Sequence, residues 1–546
     1  MTVEEILEEN ARRRAAISHP YDPVAGDPAD GERFCLDVKG LAEKPLWLPV
    51  AMEREPLCRR LREAGSLDEY IKAWRHQSPN PGMREMVKRE FRDLRLLHDF
   101  PYWAATCAYI KRKGGGDDQL FVLNRPQRRL VAAFEEQRCA GKPIRLILLK
   151  ARQWGGSTCT QLYMCWLQLI HREGLNSLII AHQSVATDEI KDMFDRMITS
   201  YPEELLYPEG RKKGDKVVER VGRSGAAFRI VSRNCKVKVA SAERPDSCRG
   251  GDYNLVHCSE VGIWKATKGK APEQILRSAC SGVLYEPLTM IVYESTANGT
   301  GNFFHREYEA AKRGESQYKA LFIPWYLIDQ YSLPLENEEE FAEKLLRFKD
   351  AEVSTTDRAQ PGRYLWLLWE HGATLEAINW YVMERSKYGD HGLMAAEYPS
   401  DDVEAFVHSG ARVFDKYKVE ALRRGCRPPL YIGEVVAQAD SGPGALRNLH
   451  FVDDACGCLA VWALPDESPI FSNRYLTVVD IGGRSLKADW SVVCVFDRKF
   501  MASGGRPVVV AQWRGHTDMD LLAWNALRIA AFYHKSLLVI ESNTLE

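Results

Sequence analysis

The sequence lacks a C-x-x-C pair, a long apolar run and a strong net charge of either sign. Its 14 cysteines are scattered, and the one close pair, Cys456 and Cys458, has no partners at the spacing of zinc ligands. No run of about 18 apolar residues is present, so no helical membrane span is expected. The formal net charge of −1 leaves any contact with nucleic acid to local patches. These absences disfavour a disulfide framework, a zinc module, a membrane protein and a globally basic binding protein.

The composition is that of a soluble globular protein with two to four domains. The chain has 546 residues, of which 45% are hydrophobic and 27% charged. Cysteines such as Cys159 and Cys165 lie in apolar periodic segments, where a thiol behaves as a small hydrophobe in a reducing compartment. The N-terminus, Met1–Glu9, is acidic and helical in pattern, unlike a signal peptide. The sequence therefore predicts a cytoplasmic protein.

The most informative segment is an apolar strand, Leu146–Leu149, that runs into a Gly/Ser/Thr turn and then a helical pattern over Cys159–Ile170. At such a turn, backbone N–H groups point at phosphate and a hydroxyl can reach Mg²⁺. Against the pattern G-x-x-x-x-G-K-[ST], Gly155 fits the second glycine and Ser157 fits the hydroxyl. The segment predicts a site for the phosphates of ATP.

The loop departs from that pattern at its charged position. Gly156 stands in the lysine slot and Lys150 in the first glycine slot, so a positive charge moves to the start of the loop, with Arg152 beside it. We expect Lys150 or Arg152 to hold the phosphates and Ser157 to hold Mg²⁺. The predicted nucleotide contacts of the loop are Lys150, Arg152, Gln153, Gly155, Gly156, Ser157 and Thr158.

Two more strands end in residues that suit a nucleotide site. Glu260 follows one strand and can orient an attacking water, while Ser259 occupies the place where an aspartate usually supports Mg²⁺. The strand Leu288–Glu294 leads into Ser295 and Thr296, small residues that can sense the γ-phosphate.

Upstream, Asn124–Gln127 opens a helix, and Gln127 is predicted to bind the adenine edge. Taken alone, each piece also fits a strand cap or a turn. Their consistent order around one presumed parallel sheet favours a nucleotide site.

A second group of acids lies near the end of the chain. Asp480 ends the apolar strand Leu476–Asp480, and Glu541 ends the strand Ser536–Glu541. Asp489 precedes a further strand. Acids on adjacent strand ends can bind a divalent metal, and two metals can clamp a phosphodiester displacement. We predict a metal-dependent nuclease that uses Asp480 and Glu541, with Asp489 as an additional ligand.

From about residue 100 to residue 546, the chain resembles the large terminase subunit of tailed bacteriophages, the motor that packages viral DNA. The segments that carry the resemblance are Lys150–Thr158, His257–Trp264, Glu294–Gly299, Glu397–Phe406 and Val479–Val492. The resemblance implies an ASCE-type, RecA-like P-loop ATPase followed by an RNase H-like α/β nuclease domain. Gly156 and Ser259 depart from the family's usual lysine and aspartate.

The same resemblance implies cofactors, partners and location. ATP and Mg²⁺ are expected, with Mn²⁺ as an alternative at the nuclease site. The expected partners are double-stranded DNA, the portal protein, the small terminase subunit and further copies of the chain in a ring. The expected location is the host cytoplasm, transiently on the procapsid. Ring ATPases need an arginine in trans, and Arg152, Arg244 and Arg249 all remain candidates. In this family a further acid follows the equivalent of Glu541, so the nuclease is expected to be incomplete at residue 546.

The sequence predicts four regions and leaves two rival functions open. The regions are a helical arm at 1–98, an ATPase domain at 99–325, a helical lid at 326–410 and the nuclease at 411–546. A helicase-type ATPase would need a second RecA-like sheet after residue 325. A transposase-like nuclease with a DNA-binding N-terminal half would hydrolyse no nucleotide.

One basic segment stands out from the neutral total. Residues 211–238 contain ten Lys or Arg against Asp215 and Glu219. Such a segment attracts a phosphate backbone without selecting a sequence. A solvated hairpin face is the equally open alternative.

Overall fold

The computed structural model divides into two compact units, Met1–Val413 and Phe414–Glu546. The structure describes residues 1–18, 21–28, 31–112, 114–211, 215–221, 227–248, 251–265, 271–349, 363–388, 391–406, 422–423, 425–467, 471–483 and 489–541. Within these ranges, no helix is both long and apolar enough to cross a bilayer.

The N-terminal segment of the first unit is mainly helical. Its elements are α1 (Val3–Ser18), β1 (Arg33–Leu36), β2 (Leu46–Pro49), α2 (Pro56–Ala64), α3 (Leu67–Arg75), α4 (Pro81–His98) and α5 (Phe100–Cys107). Arg33 and Arg95 each lie 3.0 Å from a carboxylate oxygen of Asp99, and all three side chains are buried. This ion-paired cluster ties the β1–β2 hairpin to the junction of α4 and α5.

An eight-stranded sheet forms the centre of the first unit, beside a small hairpin of β3 (Tyr109–Ile110) and β4 (Gln119–Leu120). Its strands are β5 (Ile144–Lys150), β6 (Ser177–Ala181), β7 (Val218–Val221), β8 (Ala227–Ile230), β9 (Cys235–Ser241), β10 (Leu255–Ser259), β11 (Met290–Ser295) and β12 (Lys319–Ile323). The order is β12-β5-β11-β10-β6-β9-β8-β7. The first six strands in this order are parallel, and β8 and β7 extend the sheet antiparallel. All seven residues of β5 are buried, as expected for a parallel strand covered on both faces.

Helices cover this sheet and continue beyond it. They are α6 (Arg125–Cys139), α7 (Gly156–Trp166), α8 (Ser184–Thr199), α9 (Glu203–Leu206), α10 (Pro272–Cys280), α11 (Phe303–Lys312), α12 (Glu338–Arg347), α13 (Arg363–Glu370), α14 (Leu375–Arg385), α15 (His391–Glu397) and α16 (Asp402–Phe406). Aromatic packing joins α5 to α7, where Phe100 lies 5.0 Å from the Tyr163 ring and 5.5 Å from the Trp166 ring. Among the described residues of this unit, those after β12 form no second sheet.

The second unit is a seven-stranded sheet with one long helix. Its elements are β13 (Tyr431–Val436), β14 (His450–Asp453), β15 (Leu459–Val461), β16 (Tyr475–Asp480), β17 (Ser491–Asp497), β18 (Val508–Gly515), α17 (Met519–Phe532) and β19 (Leu537–Ile540). The order is β14-β13-β15-β18-β17-β16-β19. Strands β16, β17 and β18 are antiparallel neighbours, and β19 returns through α17 to lie parallel to β16.

The predicted α/β fold class is confirmed. In the first sheet β11 lies between β5 and β10, so the strands that end at Lys150, Ser295 and Ser259 are neighbours. Burial alternates along β17, because successive side chains of a strand point to opposite faces.

Candidate active site

The glycine turn lies between the end of β5 and the start of α7. Gly155 has φ 79°, in the left-handed region, and α7 begins at Gly156. A Cβ on Gly155 would lie 2.7 Å from Gln127 Nε2, so both the backbone conformation and the space require glycine. The turn therefore delivers the first N–H groups of α7, a helix start of the kind that binds anions.

Steric crowding explains why position 156 holds glycine where the P-loop pattern has lysine. A Cβ on Gly156 would lie 2.7 Å from two atoms of the Trp154 ring. That ring is 3% exposed, and its Nε1 donates to the Ala151 carbonyl at 3.1 Å. Any side chain at 156 would displace a packed indole, so the positive charge is supplied from another position.

This packing gives a first expected result. Gly156→Ala should lower the free energy of unfolding by about 1–3 kcal/mol, because it overpacks a closed site. Gly282→Ala is the matched control, since an added Cβ there meets nothing within 4 Å and should have a much smaller effect. Denaturant unfolding of both variants measures the difference, and equal effects would show that Trp154 moves aside freely.

Gln127, which is predicted to bind the adenine edge, lies behind the turn. Its side chain is buried. Its Nε2 donates to the carbonyls of Trp154 at 3.0 Å and Gly155 at 3.3 Å, and its Oε1 accepts the Asn124 N–H in a capping box. Both polar atoms are occupied by backbone groups, so Gln127 supports the loop.

Lys150, the last residue of β5, points to the ends of β10 and β11. Its Nζ donates to Glu260 Oε1 at 2.9 Å and lies 4.0 Å from Glu294 Oε1. Burial alone would lower the pKa of Lys150, but the two carboxylates outweigh it and raise the pKa above the usual value. Lys150 is therefore a buried cation directed at Glu260, rather than an exposed end that reaches outward.

Glu260 has a strained backbone conformation, and hydrogen bonds hold its side chain in place. It has φ 56°, a left-handed conformation that costs a non-glycine residue roughly 1–2 kcal/mol. Its Oε2 accepts the N–H of Thr296 at 3.3 Å and the Oγ1 hydroxyl at 3.4 Å. The 23% exposure of its side chain leaves it open to a water molecule. Position and access both suit the orientation of an attacking water.

The predicted sensor residues connect the tip of β11 to the Glu260 turn. Ser295 Oγ accepts the Gly262 N–H at 3.0 Å, and Asn298 Nδ2 donates to the Gly262 carbonyl at 3.0 Å. Thr296 contacts Glu260 directly. The tip of β11 and the Glu260 turn are therefore joined by direct hydrogen bonds.

Glu294 is the site residue that sequence reasoning missed. It is completely buried, and its Oε1 accepts from Ser157 Oγ and, at 3.0 Å, from Ser259 Oγ. Burial alone would raise the pKa of Glu294, but Lys150 and then His257 outweigh it and lower the pKa to about 2. The available signal was an acid placed inside the otherwise apolar run of β11.

The three arginine candidates occupy different surroundings. Arg152 is half-exposed and pairs with Glu397 of α15 at 2.8 Å, while its carbonyl accepts from Tyr331 Oη. Arg244 lies exposed in the turn after β9. Arg249 lies outside the described residues. The choice among them stays open.

The remaining predicted loop residues lie at the glycine turn. Gln153 has φ 61° within the loop, and Thr158 lies in the first turn of α7.

In the second unit, Asp480 and Glu541 lie at the ends of neighbouring parallel strands. Val479 pairs with Ile540, and the Glu541 N–H donates to the Val479 carbonyl at 3.1 Å. The backbone of Asp489 contacts the loop that follows β16, because the Asp489 carbonyl accepts the Gly483 N–H at 2.9 Å. Over the described part of the chain, no three His, Cys, Asp or Glu side chains are close enough to hold a metal ion. The metal site of Asp480, Glu541 and Asp489 stays a prediction.

Comparison with known proteins found similarity at the level of solved structures. No family model matches the chain, and no curated protein matches it. The large terminase of bacteriophage HK97 is 13% identical over 77% of this chain and 67% of that chain, with a TM-score of 0.34. The large terminase of a thermophilic bacteriophage in complex with ADP is 10% identical over 78% of each chain, with a TM-score of 0.31. The ATPase domain of the large terminase of Thermus phage P74-26 is 20% identical over 38% of this chain and 84% of that chain, with a TM-score of 0.24.

Proposed function

We propose that this chain hydrolyses ATP at the ends of β5, β10 and β11 and is the large terminase subunit of a viral DNA-packaging motor. One observation carries the ATPase proposal. A glycine turn at a helix start faces a carboxylate, Glu260, that a buried lysine and a neighbouring strand hold in place. Phosphoryl transfer to water depends on positioning and electrostatics, and this arrangement supplies both.

The parts of the site have different roles. The N–H groups at the start of α7 hold the phosphates, and Glu260 orients the attacking water. Lys150 positions Glu260 and contributes positive charge. Ser157 would hold Mg²⁺, because its hydroxyl is aligned by the Glu294 carboxylate. When bound, the metal would neutralise charge on the phosphates.

The motor role adds partners and a location. We propose that ATP hydrolysis drives double-stranded DNA into a procapsid, with the chain assembled as a homo-oligomeric ring on the portal protein and supplied with DNA by the small terminase subunit. The location would be the host cytoplasm. A nuclease centre in the second unit is proposed from Asp480 and Glu541 at neighbouring strand ends together with the sequence resemblance. Mg²⁺ or Mn²⁺ there would need donors beyond this pair.

The experiment that tests this function is phosphate release from ATP with and without DNA. A packaging motor should hydrolyse ATP and should respond to blunt double-stranded DNA without unwinding it. A transposase-like nuclease should release no phosphate, and a helicase should separate strands. Absence of ATP hydrolysis at every DNA condition would contradict the proposed function.

The DNA contact is proposed on the exposed face of β8 and β9. Arg229 lies directly opposite Lys236 across the two strands, with Glu219 on its other side. Lys238 shares this face two residues from Lys236, and burial together with Lys236 lowers the pKa of its side chain. Like charges opposite each other are destabilising, so an anionic partner would stabilise this arrangement. Of the ten basic residues in the segment, Lys212, Lys213 and Arg223 lie outside the described residues.

Neutralising this face should weaken DNA binding equally for unrelated sequences. The double variant Arg229→Gln/Lys236→Gln should also flatten the plot of log Kd against log salt concentration by about one unit per lost phosphate contact. Lys72→Gln is the control, because that lysine already pairs with Glu69 on α3. An unchanged salt slope in the double variant would identify the face as solvated only.

A further inference from the structure

The strand that ends just before Glu260 lacks the acid expected there. In P-loop NTPases a strand-end aspartate supports the metal held by the loop hydroxyl. Here that place is taken by Ser259, the last residue of β10, which carries no charge. If the site binds Mg²⁺, a carboxylate must come from another element.

The neighbouring strand places one there. Ser259 is paired in register with Glu294 across the parallel strands β10 and β11. Glu294 Oε1 accepts hydrogen bonds from both Ser259 Oγ and Ser157 Oγ. One carboxylate oxygen thus links the empty acid position to the loop hydroxyl. No sequence pattern along β10 alone would reveal this link, because it runs across the sheet.

The surroundings favour a functional carboxylate over a merely structural one. Glu294 is completely buried, and an isolated buried charge is costly unless it is paired. Lys150 lies 4.0 Å away, yet its closer partner is Glu260 at 2.9 Å. Glu294 Oε2 lies 3.5 Å from His257 Nε2. Besides this charge compensation, Glu294 accepts hydrogen bonds from the two serines.

We propose that Glu294 supplies from β11 the carboxylate that aligns Ser157 as a ligand of Mg²⁺, so that the supporting acid has moved one strand across the sheet. The inference rests on the proposed ATPase function. Glu294 is a positioning residue, because it acts on the metal through the Ser157 hydroxyl. The Ser157 hydroxyl donates a hydrogen bond to Glu294. The lone pairs of the Ser157 oxygen are therefore free to face a cation.

The test is metal binding without turnover. Mn²⁺ affinity in the presence of ADP is measured by electron paramagnetic resonance, and ADP affinity in EDTA is measured by equilibrium titration. Glu294→Gln should weaken Mn²⁺ binding by about 10–100-fold, the usual effect of removing a group that orients a metal ligand. ADP affinity in EDTA should stay unchanged, which a general loss of structure would not allow. Unchanged Mn²⁺ affinity would overturn the inference.

A second variant places the carboxylate on β10 instead of β11. Ser259→Asp/Glu294→Ser keeps the same formal charge near Lys150 and places a carboxylate on β10. It should bind Mn²⁺ within about tenfold of wild type, and it decides the question alone if Glu294→Gln does not fold. A larger loss in the folded double variant would overturn the inference.

Failure of this inference and failure of the proposed function give different results. If wild-type protein neither binds ADP nor hydrolyses ATP, the proposed function is wrong. If wild-type protein is active and Glu294→Gln binds Mn²⁺ normally, only the role of Glu294 is wrong.

Discussion

Glu260→Gln is expected to bind ATP and Mg²⁺ almost as tightly as wild type and to hydrolyse ATP slower by a factor on the order of 10² or more. Glutamine keeps the size of the side chain and can still accept from Thr296, but it has no carboxylate to orient water. Steady-state phosphate release gives the rate, and equilibrium binding of a nucleotide analogue gives the affinity.

The control for this variant is Glu273→Gln, the same chemical change at a partly exposed carboxylate of α10 that pairs with Arg306. It should leave both binding and turnover unchanged. Turnover near wild type in Glu260→Gln would remove Glu260 from its proposed role. Loss of nucleotide binding would show that its contribution is structural.

The second large effect is expected from Lys150→Ala, which should lower the free energy of unfolding by about 3–5 kcal/mol. Removing one partner of a buried ion pair leaves the other charge uncompensated, and Glu294 is completely buried beside this lysine. Denaturant unfolding followed by circular dichroism measures the loss. Hydrolysis should fall as well, because Glu260 loses its 2.9 Å partner.

A double variant separates charge from packing. Lys150→Met/Glu294→Gln removes both charges while keeping the volumes, so it should be clearly more stable than Lys150→Ala. The double variant should also lack the part of the free energy of unfolding that wild type loses in acid. Because the folded-state pKa of Glu294 is lowered from 4.5 to about 2, wild type keeps that contribution above pH 4.5 and loses it as pH falls toward 2. A Lys150→Ala variant as stable as wild type would contradict this description of the ion pair.

Local sequence patterns predicted the elements that form the site. The strand predicted over Leu146–Leu149 is observed within β5 (Ile144–Lys150), and the strand predicted over Leu288–Glu294 is observed as β11 (Met290–Ser295). Unbroken apolar runs bounded by turn residues are enough for this, because a covered parallel strand needs little else. The position of the glycine turn between β5 and α7 followed from the same local signals.

The contacts between elements could not be predicted in this way. The partnership of Glu294 with Ser157 and Ser259 depends on the register of β10 against β11, which residues far apart in the chain determine together. The place of Gln127 behind the loop depends on the direction in which α6 approaches it. The glycine at 156 is explained only by the Trp154 ring, whose position is set by tertiary packing.

The proposed ATPase site is tested most directly by a structure of the Glu260→Gln protein with ATP and Mg²⁺. We expect a triphosphate bound by the N–H groups of Gly155–Thr158, with the metal at Ser157 Oγ and the γ-phosphate facing residue 260. A nucleotide bound anywhere else in the first unit, or a triphosphate whose γ-phosphate points away from residue 260, would contradict it.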